Sequence, residues 1–307
     1  MPSPDRPTDL LPRRIHFRDR PEVTLVRPCL GLTLYVDEPA AWADHLAAEL
    51  FERYLQAVDP TTLRWFQTSG SMQWRSAPDI GDLRAQLPSR SLLGRVRHLW
   101  SFRCADDPGA PSAGFVYREV DPRREPPCAY VQMFLPFDSS SDELLALAIE
   151  VGQRFTLRSG IGGYCFAWNP RYPRNAFHAV HALCRRFRGI DVQHPDQMSW
   201  YAQDRLPGVG WLTLVGSVGA VDREALRARV WSTRAAVLAL GESILIRAGD
   251  SPSLGDMNQV ELPSAQAEVA QVLAPSLVRD ETVLPGRFEE DGTTRAWRER
   301  FTFPEAW

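Results

Sequence analysis

The sequence predicts an α+β fold built mostly on antiparallel sheet, with helices packed against it. Three observations lead there. In the first half, strand-like segments follow one another across short turns, the arrangement that antiparallel pairing allows. Between them lie stretches whose apolar residues recur every three or four positions, the period of an amphipathic helix. Regular strand–helix alternation does not run through the whole chain, so a doubly wound parallel sheet is not expected. A strand, a helix and further strands occur in each half, which allows two similar α/β halves. We expect a flexible arm over residues 1–20 and a single α+β domain over 21–307, with two lobes possible at about 21–158 and 159–307.

The elements follow in order. The lead-in MPSPDRPTDLLPRR is rich in Pro, Arg and Asp, a composition that buries little apolar surface. Residues 22–36 read as the first strand. Asp37 offers a helix N-cap, with Pro39 in the first turn. That helix runs to about Ala57, with Trp42, Leu46, Leu50 and Tyr54 on its buried face, and Asp59-Pro60 ends it. Residues 63–74 read as a strand interrupted at Ser69-Gly70. Further strands are expected at 98–103 and 114–120, joined by the turn 105–109. Residues 129–137, AYVQMFLPF, give the strongest strand of this half.

Ser140 and Glu143 fit a capping box. The helix they open carries Leu144, Leu147, Ala148, Val151 and Phe155 on one face. Residues 160–164 read as a glycine turn leading into the apolar segment 165–168. A helix is expected at 175–187 and a strand at 212–215. Asp222 then caps a helix reaching about Ala235. Residues 243–248 read as a short buried strand. A helix starts at Ser264 and stops before Pro275. In the tail, Trp297, Phe301, Phe303 and Trp307 are expected to dock on the core.

Composition narrows the function classes. The chain has 307 residues, 44% of them hydrophobic, enough for a sizeable core. The net charge of -3 carries no strong overall field, and a general nucleic-acid binder would be basic. All 35 basic side chains counted as Lys or Arg are Arg, so chemistry that needs a lysine is excluded. Cys29, Cys104, Cys128, Cys165 and Cys184 are odd in number and scattered. They read as small buried apolar residues of a reducing compartment, not as a disulfide framework or zinc ribbon. No signal-peptide core and no run of transmembrane length occurs, so a cytoplasmic protein is expected.

The stretch from Gly241 to Pro263 is dense in residues with specific backbone roles. Gly249, Asp250, Pro252, Gly255, Asp256 and Asn258 form a loop in which Gly supplies positive φ, Pro fixes φ, and Asp or Asn bonds its own backbone. One reading has Asp250, Asp256 and Asn258 holding a metal or a sugar. The other is a tight, self-bonded connection between a strand and a helix. His178 and His181 stand three apart on an expected helix, a spacing that could place two imidazoles on one metal. Phe177, Val180, Cys184 and Phe187 already form an apolar stripe there, with His181 at its edge. Cys165 invites a nucleophile reading, but no base is indicated beside it. Residues 207–211 lack the third glycine of a dinucleotide loop. No G-x-S-x-G, H-E-x-x-H or P-loop is present. No cofactor and no metal are expected.

Ten tryptophans accompany the arginines, and both residue types anchor protein interfaces. Ala248-Gly249, Pro252, Gly255-Asp256, Asn258, Pro263, Leu273 and Pro275 stand at spacings that resemble the C-terminal signature of the type VI immunity protein family. Gly162-Gly163-Tyr164, Gly210-Trp211-Leu212-Thr213 and the Trp297-Arg300-Phe301 group match as well. The resemblance runs from about Cys29 to Phe303 and carries no catalytic set. It implies a protein that binds and neutralises a cognate antibacterial effector of type VI secretion, with a nuclease as a plausible partner class. From the charge balance and the lack of a transmembrane run, no direct nucleic-acid or membrane partner is expected. Asp280, Glu281, Glu289, Glu290 and Asp291 form the candidate partner-binding patch; the simpler reading of the same residues is a solvated acidic loop. The alternative is an enzyme of unknown reaction using Asp250 and Asp256, or His178 and His181.

Overall fold

In a computed structural model, the structure describes residues 10–36, 40–68, 73–87, 101–118, 128–218, 221–231, 233–279 and 282–307. One sheet of eleven strands organises it. Its centre is the antiparallel pair of β2 (Arg20–Val36) and β8 (Leu157–Trp168). On the β2 side follow β7 (Ala129–Pro136), β6 (Gly114–Arg118), β5 (Ser101–Ala105), β3 (Trp65–Thr68) and β4 (Arg75–Ser76). On the β8 side follow β9 (Leu212–Val215), β11 (Ser243–Ala248) and β10 (Ala235–Leu240). The short β1 (Ile15–Phe17) also pairs with β2. Every pairing within the sheet is antiparallel. The limit between the two expected lobes, at 158 and 159, falls inside β8.

Side chains alternate across a strand, so β2 serves two faces at once. Leu30, Leu32, Leu34 and Val36 enter a core with α1 (Ala40–Gln56) and α3 (Ser141–Arg154). From α1 come Leu50, Phe51 and Tyr54; from α3 come Leu144, Leu147, Ala148 and Val151. Each such fully buried side chain stabilises the fold by roughly 1.5–3 kcal/mol. Ser140 caps α3 by accepting the Asp142 N–H at 3.2 Å. Trp42 and Leu46 lie outside the described side chains. The small α2 (Ile80–Ala85) is capped by Asp79 and adds Leu83 to the same core.

The opposite face is covered in three pieces. Over the upper part of β2 and β8 lies α4 (Pro173–Arg186), with Phe177, Val180 and Cys184 packed against Phe288, Trp297 and Trp307. Over β9 and β11 lie α6 (Arg223–Val230) and α7 (Ser264–Leu273), against Val215, Ile244 and Ile246. Over Tyr35 and Tyr130 lies the turn that contains α5 (Pro195–Met198). The short α8 (Thr293–Arg298) carries Trp297 into the second core.

Within residues 10–20, Leu11 is buried and β1 is paired with β2. Three expectations need correction. Residues 160–164 are not a turn but lie inside β8. Their glycines serve close approach: a Cβ at Gly160 would sit 2.8 Å from Leu34 Cδ2, and Gly163 takes φ +145° beside Trp211. The helix opened by Asp222 stops at Val230, and 235–240 form β10 instead of its continuation. AAVLAL carries good helix formers, yet Gly241 at φ +58° closes a hairpin that pairs all six residues with β11. Finally, Phe303 is 48% exposed, while Trp297, Phe301 and Trp307 are buried.

Candidate functional site

The loop after β11 is tied to α4. Asp256 is 1% exposed and accepts two hydrogen bonds from Arg186, Nε to Oδ1 at 2.9 Å and Nη2 to Oδ2 at 2.8 Å. The same carboxylate caps a 3₁₀ turn by accepting the Asn258 N–H at 3.0 Å. These bonds, led by those from Arg186, hold the Asp256 carboxyl below its ordinary pKa. Two further backbone bonds, Arg188 N–H to Gly255 O and Gly189 N–H to Leu254 O, pin the loop to the end of α4. Gly255 has φ +63°, and Gly249 has φ +86° with its carbonyl accepting the Trp211 indole at 3.1 Å. Asp250 points fully into solvent, and the Asn258 side chain is exposed. These bonds tie Gly249, Gly255 and Asp256 into one backbone framework.

The two histidines of α4 part company. His178 is exposed. His181 is buried edge-on against Phe288 and Trp307, at ring distances of 5.2 and 5.3 Å. Burial, with Arg287 and Arg185 nearby, lowers its pKa. Among the described residues no three His, Cys, Asp or Glu side chains converge as metal ligands would.

The acidic run is partly compensated. Glu289 pairs with Arg174 at 2.5 Å, and Glu290 and Asp291 are exposed. Asp280 and Glu281 lie outside the described residues.

A polar groove that the sequence did not announce crosses the second face of the sheet. Its floor includes Gly31 and Thr33, at odd-numbered positions of β2 opposite the leucine face. Gln132 of β7 donates to Thr33 Oγ1 at 3.1 Å. Beside them, Asp196 accepts from Tyr130 at 2.7 Å and pairs with Arg118. Asp191 accepts from Gln193 at 2.7 Å and from Arg300 at 3.4 Å. Arg300 is itself buried, 3.5 Å above the Trp297 ring, and donates to the carbonyls of Arg188 and Trp297. Tyr35 Oη, Gln193 Oε1 and His194 Nδ1 border one end of this groove as buried polar atoms without a hydrogen-bond partner among the described residues. Burial raises the Tyr35 pKa and lowers that of His194. One signal was available: polar and small residues at alternate positions of an otherwise apolar strand.

The family model described as TsiV, type VI immunity for VRR-NUC, matches residues 47–301. The chain belongs to this family. It is thus an immunity protein of the type VI secretion system. No curated protein matches it in sequence. Among solved structures, the Pseudomonas aeruginosa T6SS protein PA0821 is similar in fold, with a TM-score of 0.78 over 97% of this chain and 91% of that one, at 18% identity. The motif stretches of this immunity protein touch one another. A Cβ at Gly210 would lie 2.6 Å from Gly162 O, Trp211 packs on Gly163, and its indole reaches Gly249. No helix among the described residues is long and apolar enough to cross a membrane.

Proposed function

We propose that this immunity protein binds a cognate VRR-NUC nuclease in the cytoplasm and neutralises it by covering its active site. The family match over residues 47–301 carries this reading. The geometry supports a binding role over a catalytic one. Asp191, Asp196 and Asp256 are each held by an arginine, so none stands ready as a general base. Asp250, fully exposed, and His181, packed among aromatics, offer no common reaction centre. The surface meanwhile carries side chains of the kind that anchor interfaces, Trp200 at 48% and Trp231 at 73% exposure.

A nuclease must hold phosphates, and basic groups do so. An acidic patch on the inhibitor therefore steers association without a large net charge. Glu289, Glu290 and Asp291, with Asp280 and Glu281, are the proposed patch. Co-expression with a cognate VRR-NUC toxin, followed by a pull-down and a nuclease titration, tests the reading. A complex and inhibition complete at one immunity protein per toxin are expected. Protection of cells without any complex would replace occlusion by an enzymatic reversal of the toxin's effect.

A further inference from the structure

Cys29 in β2 and Cys165 in β8 are direct register partners. Their sulfur atoms lie 3.4 Å apart. Opposed residues of an antiparallel pair have Cα atoms about 4.5–5.5 Å apart. A disulfide bridges Cα separations of about 4.4–6.8 Å. Side-chain rotation alone can therefore bring the sulfurs into bonding distance. Gly31 keeps the space open, since a Cβ there would lie 2.4 Å from Cys165 Sγ. Cys165 is half-buried and lines the polar groove, whereas Cys104, Cys128 and Cys184 are buried. Cys29 sits behind it, fully buried against Phe134 and Ala167. One thiol thus faces a route from solvent and the other waits at its back.

We infer that Cys29 and Cys165 are a redox-modifiable dithiol that a peroxide closes to a cross-strand disulfide. The Cys165 thiolate attacks one peroxide oxygen, the O–O bond breaks, and Cys165 becomes a sulfenic acid while hydroxide leaves. Cys29 then gives up its proton and attacks the Cys165 sulfur; the S–O bond breaks, the S–S bond forms, and water departs. Two thiols lose two electrons and two protons, and one peroxide becomes two waters. The hydrogen bond to Cys29 and burial raise the Cys165 pKa, which makes the first step slow. The product ties together the two strands at the centre of the sheet. This site does not depend on how the nuclease is bound.

The purified chain is treated with hydrogen peroxide for hours, unfolded with N-ethylmaleimide, digested and mapped by mass spectrometry. The expected result is a Cys29–Cys165 linked peptide pair, lighter by two hydrogens and released by dithiothreitol, with Cys104, Cys128 and Cys184 alkylated. The oxidised protein should melt several degrees higher. In Cys29→Ala the linked pair is lost and Cys165 stops at a sulfenic acid that dimedone traps. Alkylation of both cysteines after peroxide, a bridge elsewhere, or Cys165 driven to sulfinic acid beside a free Cys29 overturns the inference. The wild-type map decides the matter even if the variant does not fold.

Discussion

Arg186 grips Asp256 through two parallel hydrogen bonds and so clamps the loop after β11 onto the last turn of α4. Charge-assisted, two-pronged contacts of this kind fix geometry as well as energy. Asp256→Ala removes both and also strands the Asn258 N–H. We expect a loss of about 1–3 kcal/mol, read from denaturant or thermal melts. Because the Asp256 pKa is depressed in the folded state, its contribution is present above the unfolded carboxyl value of about 3.9 and is lost as pH falls through the lower folded value. The acid limb of the stability profile should therefore flatten in the variant. An unchanged melt combined with lost nuclease binding would move this loop from framework to interface.

His181 makes a second pH dependence testable, of the same sign as that of Asp256 but in a higher window. Its folded pKa is lowered, so between the folded value and the unfolded value of about 6.5 the unfolded chain binds more protons. Stability is full above about pH 6.5 and declines as pH drops below it. His181→Phe keeps an aromatic ring against Phe288 and Trp307 and removes the proton. Its melting temperature should fall less between pH 7 and pH 5 than that of the wild type. Equal slopes would show that another group, such as His194, governs that window.

Gly216 follows β9 where the chain passes the start of β8. A Cβ there would lie 1.8 Å from Leu157 O, a clash with backbone that no rotamer change relieves. Gly216→Ala should cost at least about 1–3 kcal/mol, visible as a lower midpoint in urea. A melt within error of wild type would mean that the strand end shifts freely.

The acidic patch gives a kinetic prediction. Replacing Glu289 and Glu290 by Arg should slow association with the nuclease and weaken its salt dependence, with little effect on dissociation. Folding should survive, because the Glu289–Arg174 pair is exposed and such pairs contribute about 0–1 kcal/mol. Stopped-flow association at two ionic strengths measures this. An unchanged on-rate places the interface elsewhere on the protein.

β2, β7, α3 and α4 were legible because their apolar periods were long and consistent. β10 was not, since AAVLAL suits a helix and only its hairpin partner makes it a strand. The glycines of β8 read as a turn because a sequence does not reveal which neighbours press against them; here those are Leu34, Leu214 and Trp211. Asp256 was legible as a loop former, but Arg186, seventy residues earlier, was invisible as its partner. The same holds for Cys29 and Cys165, which spacing alone separated and the sheet register brings together. The polar groove is assembled from β2, β7 and the segment around Asp191 to Asp196, so no single stretch carries it.

The placement of β2 has a consequence for how the chain acquires its fold. This strand is made early, yet its neighbours β7 and β8 begin at residues 129 and 157. Contacts of such long sequence separation raise the contact order and slow the search for the native arrangement. Until those segments leave the ribosome, the apolar part of β2 beyond its pairing with β1 has both edges unpaired, a state open to mispairing with other chains. In a cell that must always hold enough antidote, every new chain lost to such mispairing subtracts from the supply.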